Sequence, residues 1–480
     1  MSAKTSRFIN RNFPWLIYGF SLFCLLLTLV YARTYGLLPR PVPGTDQLSM
    51  LKAAEDLADG KLPGAGYMYS YLYTVFLYLL NLLSIGNLVA MRALQAAVCA
   101  LVPVFIYKLC KRLRFGTPCS QLAALFYCFY GPAALISLSF LRAVPLALCF
   151  VLFANYLVSA FIKRKNAEYL IAGIFMGMCI LGRENFIPVA AAPLVMLLYP
   201  TVRKYIKKSF VLYYAAGIAV ILIPILIYNT AMFHSVSLVP GHWQNVMGAY
   251  HSSAAGNAAR TAGSIAANLP AQALNYLASY EIPNSLSFYA HREIIEFLNI
   301  FIIPFNFFTS ISLAILCFRF RDKALVFPGL LIAAYAASML PFTMFYRFRI
   351  PSVPLLCCLG SVAVIIIIRE FSRKKYLRGG GPLLLFLVLF TLTFRDSREL
   401  RPMSEKRSAV LVLIRNKRYG DAVKLIDKMP PGDMSTRYLK VTLLKALDAG
   451  GERNRAVEIH ERWMREQREL QTAKKSGAAP

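Results

Sequence analysis

The chain has 480 residues, 58% of them hydrophobic and only 16% charged, with a formal net charge of +30. Soluble domains carry roughly 25% charged residues, whereas here apolar runs recur from Phe13 to Phe394, which excludes a soluble class for most of the chain. The basic excess falls in short blocks between those runs, KLCKRLR (108–114), IKRKN (162–166), TVRKYIKK (201–208), FRFRDK (318–323) and REFSRKKYLR (369–378), so it reports loops held on the cytoplasmic side rather than a polyanionic partner such as nucleic acid.

In chain order, spans are expected at 13–32, 88–107, 119–138, 142–161, 168–183, 185–200, 209–228, 297–317, 324–343, 350–368 and 380–394. The first run is longer than a signal-peptide core and is followed by no small-residue cleavage motif, so it is expected to stay as an anchor. The apolar stretch 67–85 is the difficult one. If it crossed, every later helix would invert and three basic loops would lie outside, at roughly 2.3 kcal/mol per charge per 100 mV. It is therefore expected to be juxtamembrane, with Tyr67, Tyr69, Tyr71, Tyr73 and Tyr78 as an interfacial belt. The expected fold is an all-α polytopic membrane protein of about eleven transmembrane helices, residues 1–394.

Residues 395–480 read as a separate helical tail with alternating charge. RYGDAV (418–423) and ERNRAV (452–457) align with Ala422 and Ala456 thirty-four residues apart, the tetratricopeptide period. A short TPR-like hairpin that docks on a protein partner or on the membrane domain is expected, beside the plainer reading of a generic helical tail.

This topology sends the first loop (33–87), the turn 182–185, the loop 229–296 and the turn 345–349 to one external face. The polar residues there are Asp46, Arg142, Arg183, Glu184, Arg347 and Arg349. Such groups at the lips of membrane helices are costly unless paired or facing water, so they mark function by default. Guanidiniums bind phosphate bidentately without losing charge, and a carboxylate deprotonates an attacking hydroxyl. Plainer roles stand beside these: Arg183 and Glu184 as a pair at a helix turn, Arg347 and Arg349 as headgroup anchors, Arg142 as a snorkelling side chain. His234, His242, His251 and His291 share one loop but at irregular spacing, and the ten cysteines show neither CxxC nor Cys/His metal spacing. Walker, GxGxxG, GxSxG and HExxH motifs do not occur.

Several motifs in order carry a family resemblance over about residues 13–370. GTDQ (44–47) precedes an amphipathic segment and LPGAGYMYSYLY. MRALQAAVCALVPVFIYKLCKRLRFG (91–116) is an Arg-led helix ending in a basic turn. LGRENFIPVAAAP (181–193), YNTAMFHSVSLVPGHWQNVMGAYHSSAAGN (228–257), YEIPNSLSFYAHRE (280–293) and FYRFRIPSVPLL (345–356) follow. The pattern resembles the GT-C fold membrane glycosyltransferases of families 39 and 83, the protein O-mannosyltransferase and aminoarabinose-transferase-like group. The resemblance implies inverting sugar transfer from a polyprenyl-phosphate donor to a lipid, protein or glycan acceptor at the external face of a bacterial inner membrane. Asp46 would be the catalytic base, Arg347 or Arg349 would hold the departing lipid phosphate, and Tyr69, Tyr71, Arg183 and Glu184 would line the substrate site. Gln47 stands where many members carry a second acid, and Leu141-Arg142-Ala143 where many carry another, which weakens the case for a divalent cation; no cofactor is assigned. The rival readings are a transporter or flippase of lipid-linked sugars and a surface-glycan ligase or polymerase.

Overall fold

A computed structural model describes residues 3–34, 41, 46–61, 70–195, 206–207, 209–234, 236, 238, 262–282, 288–294, 296–301, 303–341, 344–394, 410–411, 413–414, 417–429 and 434–475. Among them the regular elements are all helical, with no strand. The chain divides into two compact units, one made of residues 1–30, 40–285 and 297–396, the other of 31–39, 286–296 and 397–480.

The first unit is a bundle of apolar helices, as lipid requires when every backbone group must be satisfied within the chain. In order they are α1 (Ala3–Thr34), α2 (Asp46–Ala58), α3 (Tyr71–Ser84), α4 (Leu88–Cys99), α5 (Leu101–Arg112), α6 (Thr117–Cys128), α7 (Gly131–Ser137), α8 (Ala143–Lys163), α9 (Asn166–Gly182), α10 (Ile187–Val195), α11 (Phe210–Phe233), α12 (Ala262–Leu277), then, after α13 (Phe288–Ile294) of the second unit, α14 (Phe305–Arg319), α15 (Lys323–Met339), the single turn α16 (Tyr346–Arg349), α17 (Val353–Ser372) and α18 (Tyr376–Thr393). Among the described residues seven segments are long and apolar enough to cross a membrane, 10–34, 88–112, 143–163, 210–233, 297–319, 346–372 and 376–393, or eight if the bent pair 117–137 counts as one. The protein is thus multi-pass. The expected span 119–138 is instead a broken pair, α6 and α7, bent by 61°. Gly131-Pro132 stands at the break, with the proline in the first turn of α7, where its missing N–H is no loss. The spans expected at 168–183 and 324–343 are shorter apolar helices ending at 182 and 339, and the one expected at 185–200 is helical over 184–195, its remainder lying outside the described residues. Pro304 starts α14 late, with 296–300 a 3-10 segment before it.

The stretch expected to be juxtamembrane contains α3, whose 14 residues fall short of a span. Its Tyr73, Leu77 and Leu80 pack with Met50, Leu51 and Ala54 of α2, Met91 of α4 and Phe140. α9 crosses α11 closely. A Cβ on Gly173 would lie 2.2 Å from the Tyr214 carbonyl oxygen, and one on Gly217 2.2 Å from that of Leu170, so the two backbones touch where only glycine fits. A row of rings (Phe210, Tyr214, Phe153, Phe150, Phe186 and Tyr335) runs from that crossing to the turn after α9.

The second unit holds α13, α19 (Tyr419–Asp427), α20 (Met434–Ala449) and α21 (Arg453–Lys475). Ala422 and Ala456 are each the fourth residue of their helix and both are buried. Trp463 donates its indole N–H to Asp427 at 2.7 Å, tying α21 to α19.

Candidate active site

Four short segments at the bundle end opposite the basic turns bring the polar residues together. Asp46 opens α2, where the positive end of the helix dipole favours a carboxylate. Apolar residues one and two turns on hold that helix down: Met50, Leu51 and Ala54 are at most 2% exposed. Arg142 precedes α8 in a turn fixed from below, because Gln95 of α4 donates to the carbonyls of Ser137 (2.8 Å) and Ser139 (2.7 Å) and accepts from Tyr73 (2.8 Å). Arg183 and Glu184 occupy the break between α9 and α10. Phe186 pins that break against Phe150 and Tyr335, and Asn185 donates to the Ser338 carbonyl at 2.9 Å. Arg347 lies on α16.

Arg347 donates to Asp46 Oδ2 at 2.7 Å, across 301 positions of sequence. The Phe348 ring lies beneath two guanidiniums, Arg183 at 3.8 Å and Arg347 at 5.2 Å from its centre. An aromatic face attracts both cations, so it offsets part of the repulsion of holding them close. Tyr335 donates to the Phe348 carbonyl at 2.6 Å. Burial, then the neighbouring Arg183 and Arg347 cations, pull the Arg142 guanidinium down to about 9, while Asp46 and Glu184 pull it back up. Arg142 therefore stays charged at neutral pH. Burial likewise lowers Arg183, with Tyr335 and Asp46 raising it and Arg347 lowering it. Three guanidiniums and two carboxylates thus share one electrostatic site. A donor set with that surplus of fixed cations suits a phosphate anion better than a divalent metal. Among the described residues no three of His, Cys, Asp and Glu converge as metal ligands. All ten cysteines are free thiols.

Two residues expected in the substrate site have their polar groups committed elsewhere. Tyr71 donates to the Asn229 side chain and is buried against Tyr228, which fastens α3 to the end of α11. Arg349 is 1% exposed. It donates to the carbonyls of Asn275 (3.2 Å), Ala278 (2.7 Å) and Tyr280 (2.9 Å) and pairs with Glu281, and its guanidinium lies 4.3 Å over Phe305. Residues two apart on a helical turn point to opposite sides, so with Arg347 facing Asp46, Arg349 faces inward. Tyr69 lies outside the described residues, as do His242 and His251. Phe348 and Tyr335 were not foreseen. The Phe between two arginines in YRFR was the only sequence signal for the first, and nothing near Tyr335 signalled the second.

Residues 65–228 match the family model of dolichyl-phosphate-mannose-protein mannosyltransferases. Among solved structures, ArnT from Cupriavidus metallidurans bound to undecaprenyl phosphate is similar over 96% of this chain and 79% of its own, at 14% identity and a TM-score of 0.50. An Archaeoglobus fulgidus oligosaccharyltransferase with a tethered acceptor peptide matches 84% of this chain at 13% identity and a TM-score of 0.42, and the present chain spans only 58% of its length. The same organism's oligosaccharyltransferase AglB, in complex with an inhibitory peptide and a dolichol-phosphate, matches at 11% identity and a TM-score of 0.43. No curated protein sequence matches the chain.

Proposed function

From the GT-C fold and mannosyltransferase-family match of this chain, which bear out the resemblance read from its motifs, we propose that it transfers a sugar from a polyprenyl-phosphate donor to an acceptor hydroxyl or amine, with inversion. The observation that carries the proposal is the Asp46–Arg347 pair, with Arg142 and Arg183 within electrostatic reach of the same carboxylate.

On this reading the donor's phosphate binds among Arg142, Arg183 and Arg347. It competes with Asp46 for Arg347, leaving a carboxylate oxygen to accept the acceptor's proton. The acceptor oxygen or nitrogen attacks the anomeric carbon as the bond from that carbon to the phosphate oxygen breaks. The electron pair leaves on the polyprenyl phosphate, and the proton leaves on Asp46. The guanidiniums stabilise charge that grows on the departing phosphate, which is where fixed dipoles and charges contribute most to rate. Arg349, buried with both terminal nitrogens committed to backbone carbonyls and Glu281, takes no part in holding phosphate; that role falls to Arg347. Glu184 lines the same site. The positive-inside argument, applied to the basic turns, puts the site at the external face of the membrane, the periplasmic side in a bacterial inner membrane.

The test is transfer of labelled polyprenyl-phosphate hexoses in membranes holding the native chain or Asp46→Asn, with label counted in lipid, protein and glycan fractions. Transfer by the native chain and none by a folded Asp46→Asn variant is the expected result, and the labelled fraction names the acceptor class. Equal label in both removes Asp46 as base. Label that crosses the bilayer still attached to its lipid means a flippase.

A further inference from the structure

We propose that Glu281 and Arg349 are positioning residues, a buried ion pair that latches the segment 272–282 onto the turn 344–352 and so holds Arg347 against Asp46. The inference rests on the transfer reaction proposed above.

The turn that carries Arg347 is the first turn of the segment 346–372: α16 has four residues, and the 3-10 turn 350–352 separates it from α17. The first N–H groups of such a segment have no partner within it, so contacts from outside fix how the turn is oriented. Besides the Tyr335 hydrogen bond to the Phe348 carbonyl, most of those contacts come from one stretch of chain. The Met344 N–H donates to the Gln272 side chain at 3.1 Å, the Tyr346 N–H to the Ile282 carbonyl at 3.0 Å, and the Tyr276 hydroxyl to Ser352 Oγ at 2.8 Å. At the centre Arg349 donates to carbonyls of residues 275, 276, 278 and 280 as well as to Glu281. A third element joins in: Tyr130, at the break between α6 and α7, donates to Glu281 Oε1 at 2.9 Å. Glu281 is 3% exposed and Arg349 1%. A pair so deeply buried is poor as a source of net stability, but removing one partner strands the other charge. Its geometric effect is specific. Because Arg347 and Arg349 project to opposite sides of one turn, fixing Arg349 inward directs Arg347 outward to the carboxylate. A displacement of about 1 Å in such a group is enough to lower a rate about a hundredfold.

A residue that acts through Arg347 must lose its effect once Arg347 is gone, whereas a general fold stabiliser must not. The experiment is a double-mutant cycle on kcat/KM for the lipid donor, using Glu281→Gln, Arg347→Ala and the double variant in the full chain. It is run beside backbone hydrogen exchange of the substrate-free protein. Expected is a loss of about tenfold for Glu281→Gln in the native background and less than about twofold in the Arg347→Ala background. Exchange should quicken at 344–349 with α17 unchanged. If Glu281→Gln does not fold, Tyr130→Phe removes a single bond to the same carboxylate and should give a smaller loss with the same non-additivity. Equal losses in both backgrounds, or unchanged exchange at 344–349, overturn the latch. If the native chain transfers no sugar from any donor, the transfer reading falls by itself, and the exchange result alone decides whether the latch stands.

Discussion

Asp46 has a side chain 40% exposed and Arg347 one 11% exposed, so their 2.7 Å pair sits in partly screened surroundings. Exposed pairs contribute about 0–1 kcal/mol to stability, and the value of this one lies in where it puts the charges. Asp46→Asn should therefore leave the melting temperature in detergent within a few degrees of native, since 1 kcal/mol shifts a chain of this size by only about 2–4 °C or less. It should cut transfer by at least a hundredfold, in the range expected of a general base. A variant that loses transfer and stability together would point to a structural carboxylate. Phe348 offers a second reading of the same site. Its ring faces Arg183 at 3.8 Å, and cation–π contacts contribute about 0.5–2 kcal/mol. Phe348→Leu should thus raise the donor KM roughly two- to thirtyfold with the acceptor KM unchanged. Matching rises in both constants would argue for a collapsed turn instead.

Among the elements, the α9–α11 crossing holds the end of α9 that leads into the turn 183–186, because Gly173, Gly177 and Gly217 all meet backbone of the facing helix. Gly173→Ala puts a Cβ 2.2 Å from a carbonyl oxygen that cannot rotate away. The helices must separate, at a cost of about 1–3 kcal/mol or more. The expected outcome is a lowered melting temperature or loss of the monodisperse peak in detergent chromatography. Gly19→Ala, with nothing within 4 Å of its new Cβ, is the control that should behave as native. A native melt for Gly173→Ala would mean that the two helices do not touch there. The broken α6–α7 pair matters at this scale too, since the bend places Tyr130 where it reaches Glu281.

For the whole molecule the testable quantity is sidedness. The described basic turns, 113–116, 164–165, 320–322 and 373–375, lie at the helix ends opposite Arg142, Arg183 and Arg347 in the alternation of the chain. Cys317, an exposed thiol one turn before the turn 320–322, provides a native probe. A membrane-impermeant maleimide added to intact cells should leave Cys317 unlabelled and should label a cysteine introduced as Lys61→Cys after α2. Permeabilising the cells should expose both. Labelling of Cys317 in intact cells would turn the bundle over and take the proposed site to the cytoplasm.

What the sequence by itself determined is what depends on composition along the chain. Apolar runs of span length must be helices in lipid because the backbone has no other partner there. The order of weak motifs carried the fold. Where the reading missed, the decision was three-dimensional. Proline 132 was visible, but whether a proline bends a span or breaks it depends on what neighbouring helices supply to the freed groups. Tyr71 stood in a row of tyrosines suited to a surface belt, yet its hydroxyl turns inward because Asn229, 158 positions away, lies within reach. The two arginines of YRFR could be known to point apart, as any residues two places apart on a helical turn do. Which one met the carboxylate was settled only by tertiary structure, where the carbonyls of 275, 276, 278 and 280 and the Glu281 carboxylate took the terminal nitrogens of Arg349 and left Arg347 to Asp46.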